Sequence, residues 1–150
     1  MEAMQLALGL TIPFLLTDHV LGTRVSLSLF GTEKGYAEVL LRFWVRDPLA
    51  GVLQAILLLV VWIHGCIGIH MWLRLRSFYP RLREILLSIA VLLPALALLG
   101  YYQGGERTQQ LVQDPLWQAR HATPERVGTS AQNAALLGYR KDTLAVLAAM

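Results

Sequence analysis

The chain has 150 residues, of which 55% are apolar and 15% charged, a composition too apolar for an ordinary soluble domain. The formal charge of +3 is carried mostly by arginines at the ends of apolar runs, a pattern typical of membrane flanks rather than of a nucleic-acid-binding surface. A single cysteine, Cys66, excludes an internal disulfide and a cysteine-ligated metal site within the chain.

The first apolar run, residues 6–29, is predicted to be a membrane span. The N-terminus lacks the basic segment and small-residue cleavage site of a signal peptide, so the run is not interpreted as one. Asp18, His19 and Arg24 interrupt it. In a bilayer such side chains are best placed facing other helices or water.

The next part of the chain contains a polar connection and the strongest predicted span. Residues 36–45 space their apolar side chains at helical intervals, which predicts a short interfacial helix with Phe43 and Trp44 at headgroup level. Residues 49–73 contain no Asp, Glu, Lys or Arg and are long enough to cross a bilayer. His64 and His70 lie within this span. An ionisable residue at membrane depth is by default a functional-site hypothesis.

A loop rich in arginine separates this span from a third, residues 85–102. The positive-inside rule places that loop and the chain start in the cytoplasm, and residues after 102 outside. Residues 103–150 are predicted to be a polar, partly helical C-terminal linker, because the apolar part after Ala134 is too short and too charged for a span. The predicted fold class is therefore all-α, an integral membrane helical bundle with three transmembrane helices and an interfacial helix.

The histidines are candidate haem ligands, because imidazole in a dry helical bundle is a common axial ligand of haem iron. His64 and His70 differ by about 240° and about 9 Å along one helix, so they cannot bind one iron from a single helix face. Either one is a ligand and the other its hydrogen-bonding partner, or they serve different sites. Since consecutive spans are antiparallel, His19 and His64 should lie at different depths. Each site would then lack its second ligand within this chain.

Structural roles are the alternative for the same residues. A membrane histidine can hydrogen-bond between helices without binding a cofactor, and Gly65 and Gly68 can serve plain helix packing. Cys66 is interpreted as a small buried apolar residue. His121 is interpreted as a solvated side chain in the polar C-terminal segment.

The string His64-Gly-Cys-Ile-Gly68-Ile-His70 resembles the haem-ligand helix of succinate dehydrogenase cytochrome b subunits. In this resemblance His64 falls on the haem ligand, and His70 replaces an arginine. A resemblance covering more of the chain is to the membrane anchor of bacterial class III adenylate/guanylate cyclases. It rests on these segments: Ile12-Pro-Phe-Leu-Leu, His19-Val-Leu-Gly-Thr-Arg24, Asp47-Pro48, Gln54, residues 61–76 and Leu93-Pro-Ala-Leu-Ala-Leu-Leu-Gly100.

The resemblance implies a place and a role for the chain. It would form the second half of a six-span, dihaem cytochrome b-type anchor in the bacterial inner (cytoplasmic) membrane. Haem b would be ligated by His19 and His64, with His70 and Arg24 as hydrogen-bonding or propionate partners. In the family, a ferredoxin-like domain and a cyclase domain follow the anchor. The chain itself contains neither set of signature residues, so we expect it not to be an enzyme.

The expected partners follow from the same resemblance: the lipid bilayer, the family's N-terminal helical half, quinone, ferredoxin-like and cyclase domains, and a second copy in a full-length homodimer. The predicted function is redox or quinone sensing that regulates the attached cyclase. Two alternatives remain open. One is a respiratory cytochrome b-type subunit passing electrons to quinone, and the other is a cofactor-free membrane scaffold.

Overall fold

All regular secondary structure in residues 1–149, the part of the chain that the computed structural model describes, is helical. The predicted all-α class is therefore confirmed. In chain order the helices are α1 (Glu2–Val20), a π-helical turn (Leu21–Val25), α2 (Ser26–Phe30), α3 (Tyr36–Leu41), a second π-helical turn (Arg42–Arg46), α4 (Pro48–Leu73), α5 (Tyr79–Leu111), α6 (Pro115–His121), α7 (Pro124–Val127) and α8 (Ser130–Ala148).

Three helical segments are long and apolar enough to cross a membrane: Glu2–Phe30, Pro48–Leu73 and Tyr79–Leu111. The first is continuous through α1, the first π turn and α2. The predicted spans, residues 6–29, 49–73 and 85–102, each fall inside one of these segments. Helix α5 continues nine residues beyond the predicted third span, through Gly104 and Gly105 to Leu111.

The most extensive contact between helices joins α1 to α4. The start of α4 is defined locally: Pro48 occupies the first turn, where its missing N–H costs nothing, and the Asp47 carboxylate accepts a hydrogen bond from the Ala50 N–H at 3.2 Å. At one end of the helix pair the His19 side chain reaches Gln54, and at the other end His64 reaches Gln5. The two helices are therefore antiparallel.

The connecting segment, formed by α3 and the second π turn, packs closely against glycines of α4 and α5. The Trp44 indole lies directly against Gly105, where ring atoms occupy the space that a Cβ would need. A Cβ at Gly104 would come within 2.6 Å of the Tyr36 hydroxyl, and one at Gly51 within 2.5 Å of the Phe43 carbonyl oxygen. The connection is therefore held on two long helices by close approach to their backbones.

Pro94 lies in the middle of α5 and has no N–H to donate to the Ala90 carbonyl. A free carbonyl in an apolar environment costs energy unless another donor reaches it. The indole Nε1 of Trp62 on α4 donates to this carbonyl at 2.8 Å. One side chain therefore satisfies the proline's lost bond and joins α4 to α5.

The C-terminal helices fold back over the end of the bundle that carries the 31–47 connection. Ion pairs with Glu38 of α3 hold the α6–α7 region there. Helix α8 begins with a capping box, in which the Thr129 hydroxyl and the Gln132 side chain each bond the other residue's backbone. It then packs against α1 and the first π turn.

We expect Gly105→Ala to lower the thermal stability of the chain, because the new methyl group overlaps the Trp44 ring. Overpacking of this kind costs about 1–3 kcal/mol. Gly100→Ala is the matched control: it lies on the same helix with no atom within 4 Å of its Cβ position, so it should leave stability unchanged or raise it through better helix propensity. Thermal unfolding in detergent, followed by circular dichroism, measures both. Equal effects of the two substitutions would contradict this packing.

We expect Trp62→Phe to destabilise the chain by about 1–3 kcal/mol, because it leaves the Ala90 carbonyl without a donor. Pro94→Ala restores a backbone N–H for that carbonyl, so Trp62→Phe should cost less when combined with it. A double-mutant cycle on thermal unfolding gives the coupling between the two positions. Strictly additive effects would mean that Trp62 does not compensate for the proline.

Candidate functional site

Two of the predicted ligand histidines lie in the contact between α1 and α4. Nδ1 of His19 lies 3.0 Å from Oε1 of Gln54, and Nδ1 of His64 lies 3.1 Å from the Gln5 carbonyl oxygen. Each imidazole therefore donates Nδ1–H to an oxygen on the other helix, and its Nε2 makes no hydrogen bond within residues 1–149. This tautomer leaves a lone pair on Nε2.

The two imidazoles lie at opposite ends of the helix pair. Gln54, which marks the level of His19, precedes His64 by ten residues on α4, or about 15 Å of helix rise. The structure thus separates the histidines, as the antiparallel argument expected. The two imidazoles therefore do not share one site.

His64 borders an open, mainly apolar cavity of about 350 Å³ between the start of α1 and the end of α4. Gly9 makes room for the imidazole, since a Cβ there would come within 3.0 Å of its Cε1 atom. Of the two glycines near His64 on α4, Gly68 faces the Gln5 side chain, while Gly65 has open space around it. Beside them the Gln5 Oε1 atom is buried without a hydrogen-bond partner.

His70 and Arg24 make contacts other than those of His19 and His64. Nδ1 of His70 lies 2.5 Å from the Tyr79 hydroxyl, and the two rings meet edge to face at the turn between α4 and α5. Arg24 is exposed on the first π turn and borders a surface groove with Lys34 and Arg126. It does not line the cavity beside His19.

The cavity beside His19, here termed the charged cavity, has a volume of about 220 Å³. Three parts of the chain enclose it: the first π turn with the residues before it, the 31–47 connection, and α8. Its ionisable wall residues are Asp18, His19, Lys34, Glu38, Arg42, Arg46, Asp47 and Arg140. These charges meet beside residues 18–23 of the first spanning-length helix and at Asp47, which caps the start of α4.

Arg42 organises one wall of the charged cavity. Its Nη2 atom donates to Oδ2 of Asp18 at 2.8 Å and lies 3.8 Å from Oδ2 of Asp47. Arg140 of α8 approaches the other Asp18 oxygen at 3.8 Å. The guanidinium of Arg42 also lies against Gly22, where a side chain would collide with it. The absence of a side chain at Gly22 therefore lets the partly buried Arg42 pack against the backbone of the first helix.

Glu38 is a buried carboxylate with two cationic partners from the C-terminal segment. Its side chain is 2% exposed, and its Oε1 atom accepts hydrogen bonds from His121 Nδ1 at 2.8 Å and Arg126 Nη1 at 3.1 Å. Burial opposes ionisation of Glu38, but the hydrogen bonds from His121, the backbone and Arg126 outweigh it. They hold its pKa below the ordinary value.

This cluster corrects the interpretation of His121 as a solvated side chain. The ring is partly buried against Glu38 and packs on Trp117 with 4.7 Å between the ring centroids. No local pattern signals the contact, because 83 residues separate Glu38 from His121. Among the described residues, no three or more His, Cys, Asp or Glu side chains are grouped so as to hold a metal ion.

The chain was compared with models of protein families, with curated proteins and with solved structures, and no match was found in any of the three comparisons. The resemblance to the cyclase anchor therefore stays a prediction.

We expect the chain to lose stability as the pH falls below about 4.5, partly through Glu38. A carboxylate whose pKa is lowered by folding stabilises the folded state above its unfolded pKa. That contribution disappears as pH falls through the lower folded value. Chemical unfolding of wild type and Glu38→Gln at about pH 6 and about pH 3.5 should show a stability difference that shrinks in acid. Glu33→Gln, at an exposed position, should keep the wild-type pH dependence. A constant difference for Glu38→Gln would contradict this role.

Proposed function

We propose that this chain is a haem b-binding membrane module in which His19 and His64 are axial ligands of two separate haem groups. The proposal rests on the hydrogen bonding of the two imidazoles. Each lies at a helix contact, donates Nδ1–H to a carbonyl or amide oxygen, and presents an uncommitted Nε2.

The donor set fits haem. Metal-bound histidines almost always donate the other ring N–H to an oxygen, which fixes the tautomer and makes the ligating nitrogen more basic. Gln54 and the Gln5 carbonyl oxygen would have this role here. Around His64 the apolar cavity walls, including Leu6 and Leu10, suit a macrocycle, and Gly9 keeps the imidazole close to the α1 backbone. Bound haem b would supply one-electron redox chemistry.

Neither the cavity beside His19 nor the cavity beside His64 is lined by a second histidine. The second axial ligand would come from outside the chain, which is the arrangement that the cyclase-anchor resemblance implies. On this proposal, a change in the charge held at either end of the α1–α4 pair would alter the contact between these two helices. This conformational change would be transmitted to attached ferredoxin-like and cyclase domains. Quinone is the proposed redox partner.

A cofactor-free scaffold is the second candidate function, because a specific observation favours it as well. His19, His64 and His70 all bridge two helices or a helix and its following turn. Such bonds stabilise membrane bundles by about 0.6 kcal/mol each on average. In that case the histidines would be needed for packing alone.

Optical spectra distinguish haem binding from a cofactor-free scaffold. They are recorded on the purified chain after co-expression with the first three spans of a related cyclase anchor. For haem binding we expect a dithionite-reduced Soret band and α band. His64→Ala and His19→Ala should each remove part of the bound haem, and the double variant should remove all of it. His121→Ala is the matched control outside the α1–α4 contact and should keep full haem content.

A folded complex without these bands, checked by far-UV circular dichroism, would refute haem binding and favour the scaffold. Bands that persist undiminished in the double variant would exclude His19 and His64 as the ligands.

A further inference from the structure

The charged cavity has cations that no carboxylate neutralises. Its three carboxylates are engaged: Asp18 and Asp47 with Arg42, Asp18 also with Arg140, and Glu38 with partners from α6 and α7. Lys34 and Arg46 also line the cavity. Neither has a carboxylate oxygen within 4 Å among residues 1–149.

Lys34 is the more constrained of these two cations. It is half-buried, and its Nζ atom donates to the Gly22 carbonyl oxygen at 2.9 Å. Burial and the nearby charge of Arg42 lower its pKa, although Asp18 partly opposes the effect. No carboxylate of residues 1–149 pairs directly with this ammonium group, so its desolvation is only partly offset.

We propose that the charged cavity binds a phosphate group through Lys34 and Arg46, either the headgroup of an anionic lipid or inorganic phosphate. A guanidinium and an ammonium that line one cavity can form several charge-assisted hydrogen bonds with one phosphate. The volume of about 220 Å³ is large enough for such a group.

Two features favour the lipid as the source. The cavity includes Asp47, which caps the start of the spanning-length helix α4, where headgroups would be found. Basic pockets between membrane helices bind anionic headgroups. The wall also contains apolar side chains, among them Val39, Phe43 and Leu137, that can contact the glycerol and upper acyl carbons. This proposal does not depend on haem binding.

Lipid binding at this site would also stabilise the packing of α8 against α1. Asn133, Leu136, Leu137 and Arg140 of α8 close the cavity on one side. A ligand that binds only the closed arrangement stabilises it in proportion to its concentration above the dissociation constant. Bound phosphate would therefore hold α8 against α1.

The test uses the full chain, free of haem, in a neutral detergent. Phosphatidylglycerol, phosphatidylcholine and inorganic phosphate are titrated separately, with melting temperature and native mass spectrometry as readouts. We expect phosphatidylglycerol to raise the melting temperature and remain bound. Lys34→Gln combined with Arg46→Gln should weaken its binding at least tenfold. Lys34→Arg combined with Arg46→Lys keeps both charges and should stay within about threefold of wild type.

A matched control removes the same charge elsewhere. Arg107→Gln combined with Lys141→Gln, both at exposed positions outside the cavity, should bind phosphatidylglycerol as wild type does. A response to inorganic phosphate at similar affinity would assign the free ion as ligand, and a response to phosphatidylglycerol alone would assign the lipid.

Three outcomes would overturn the proposal. They are an absence of response to either phosphate source, unchanged affinity in the Lys34→Gln/Arg46→Gln variant, and equal loss in this variant and the Arg107→Gln/Lys141→Gln control. Far-UV circular dichroism of each variant establishes that the comparison is between folded chains.

Discussion

The antiparallel contact between α1 and α4 is the constraint on which the rest of the structure depends. Between apolar helices in lipid there is no hydrophobic driving force, so close packing and polar bonds must hold them together. Here a histidine bonds across the contact at each end, to Gln54 and to the Gln5 carbonyl oxygen. The position of these bonds sets the register of the helix pair. It also places one imidazole at each end, and this separation determines what kind of site the chain can form.

The 31–47 connection and the helices that follow α5 gather at one end of that pair. The connection packs against glycines of α4 and α5, and α8 packs against α1. Glu38 ties the connection to the α6–α7 region through two cations. The charged cavity forms between these layers and includes His19 in its wall. One end of the bundle is thus polar and enclosed, whereas the His64 end is apolar and open, so the two imidazoles lie in different electrostatic environments.

Much of the helical framework could be predicted from the sequence. The uncharged run at residues 49–73 required a helix of spanning length. The proposed ligands were also recognisable, because a histidine in an otherwise apolar run needs an explanation. Their hydrogen-bond partners were not. Gln5 and Gln54 carry no local signal, and only the register of two helices distant in sequence brings each of them to an imidazole.

The sequence by itself therefore determined the class of structure: all-helical, with three segments of spanning length and histidines inside two of them. These properties depend on composition and periodicity, which are local. Only the tertiary structure decided that His121 pairs with a buried Glu38, that Arg24 borders a surface groove and not the cavity beside His19, and that α8 closes a charged cavity. The physical reason is that burial and charge pairing depend on contacts between residues far apart in the chain. For Glu38 and His121 the two partners lie 83 positions apart, beyond the reach of any local pattern.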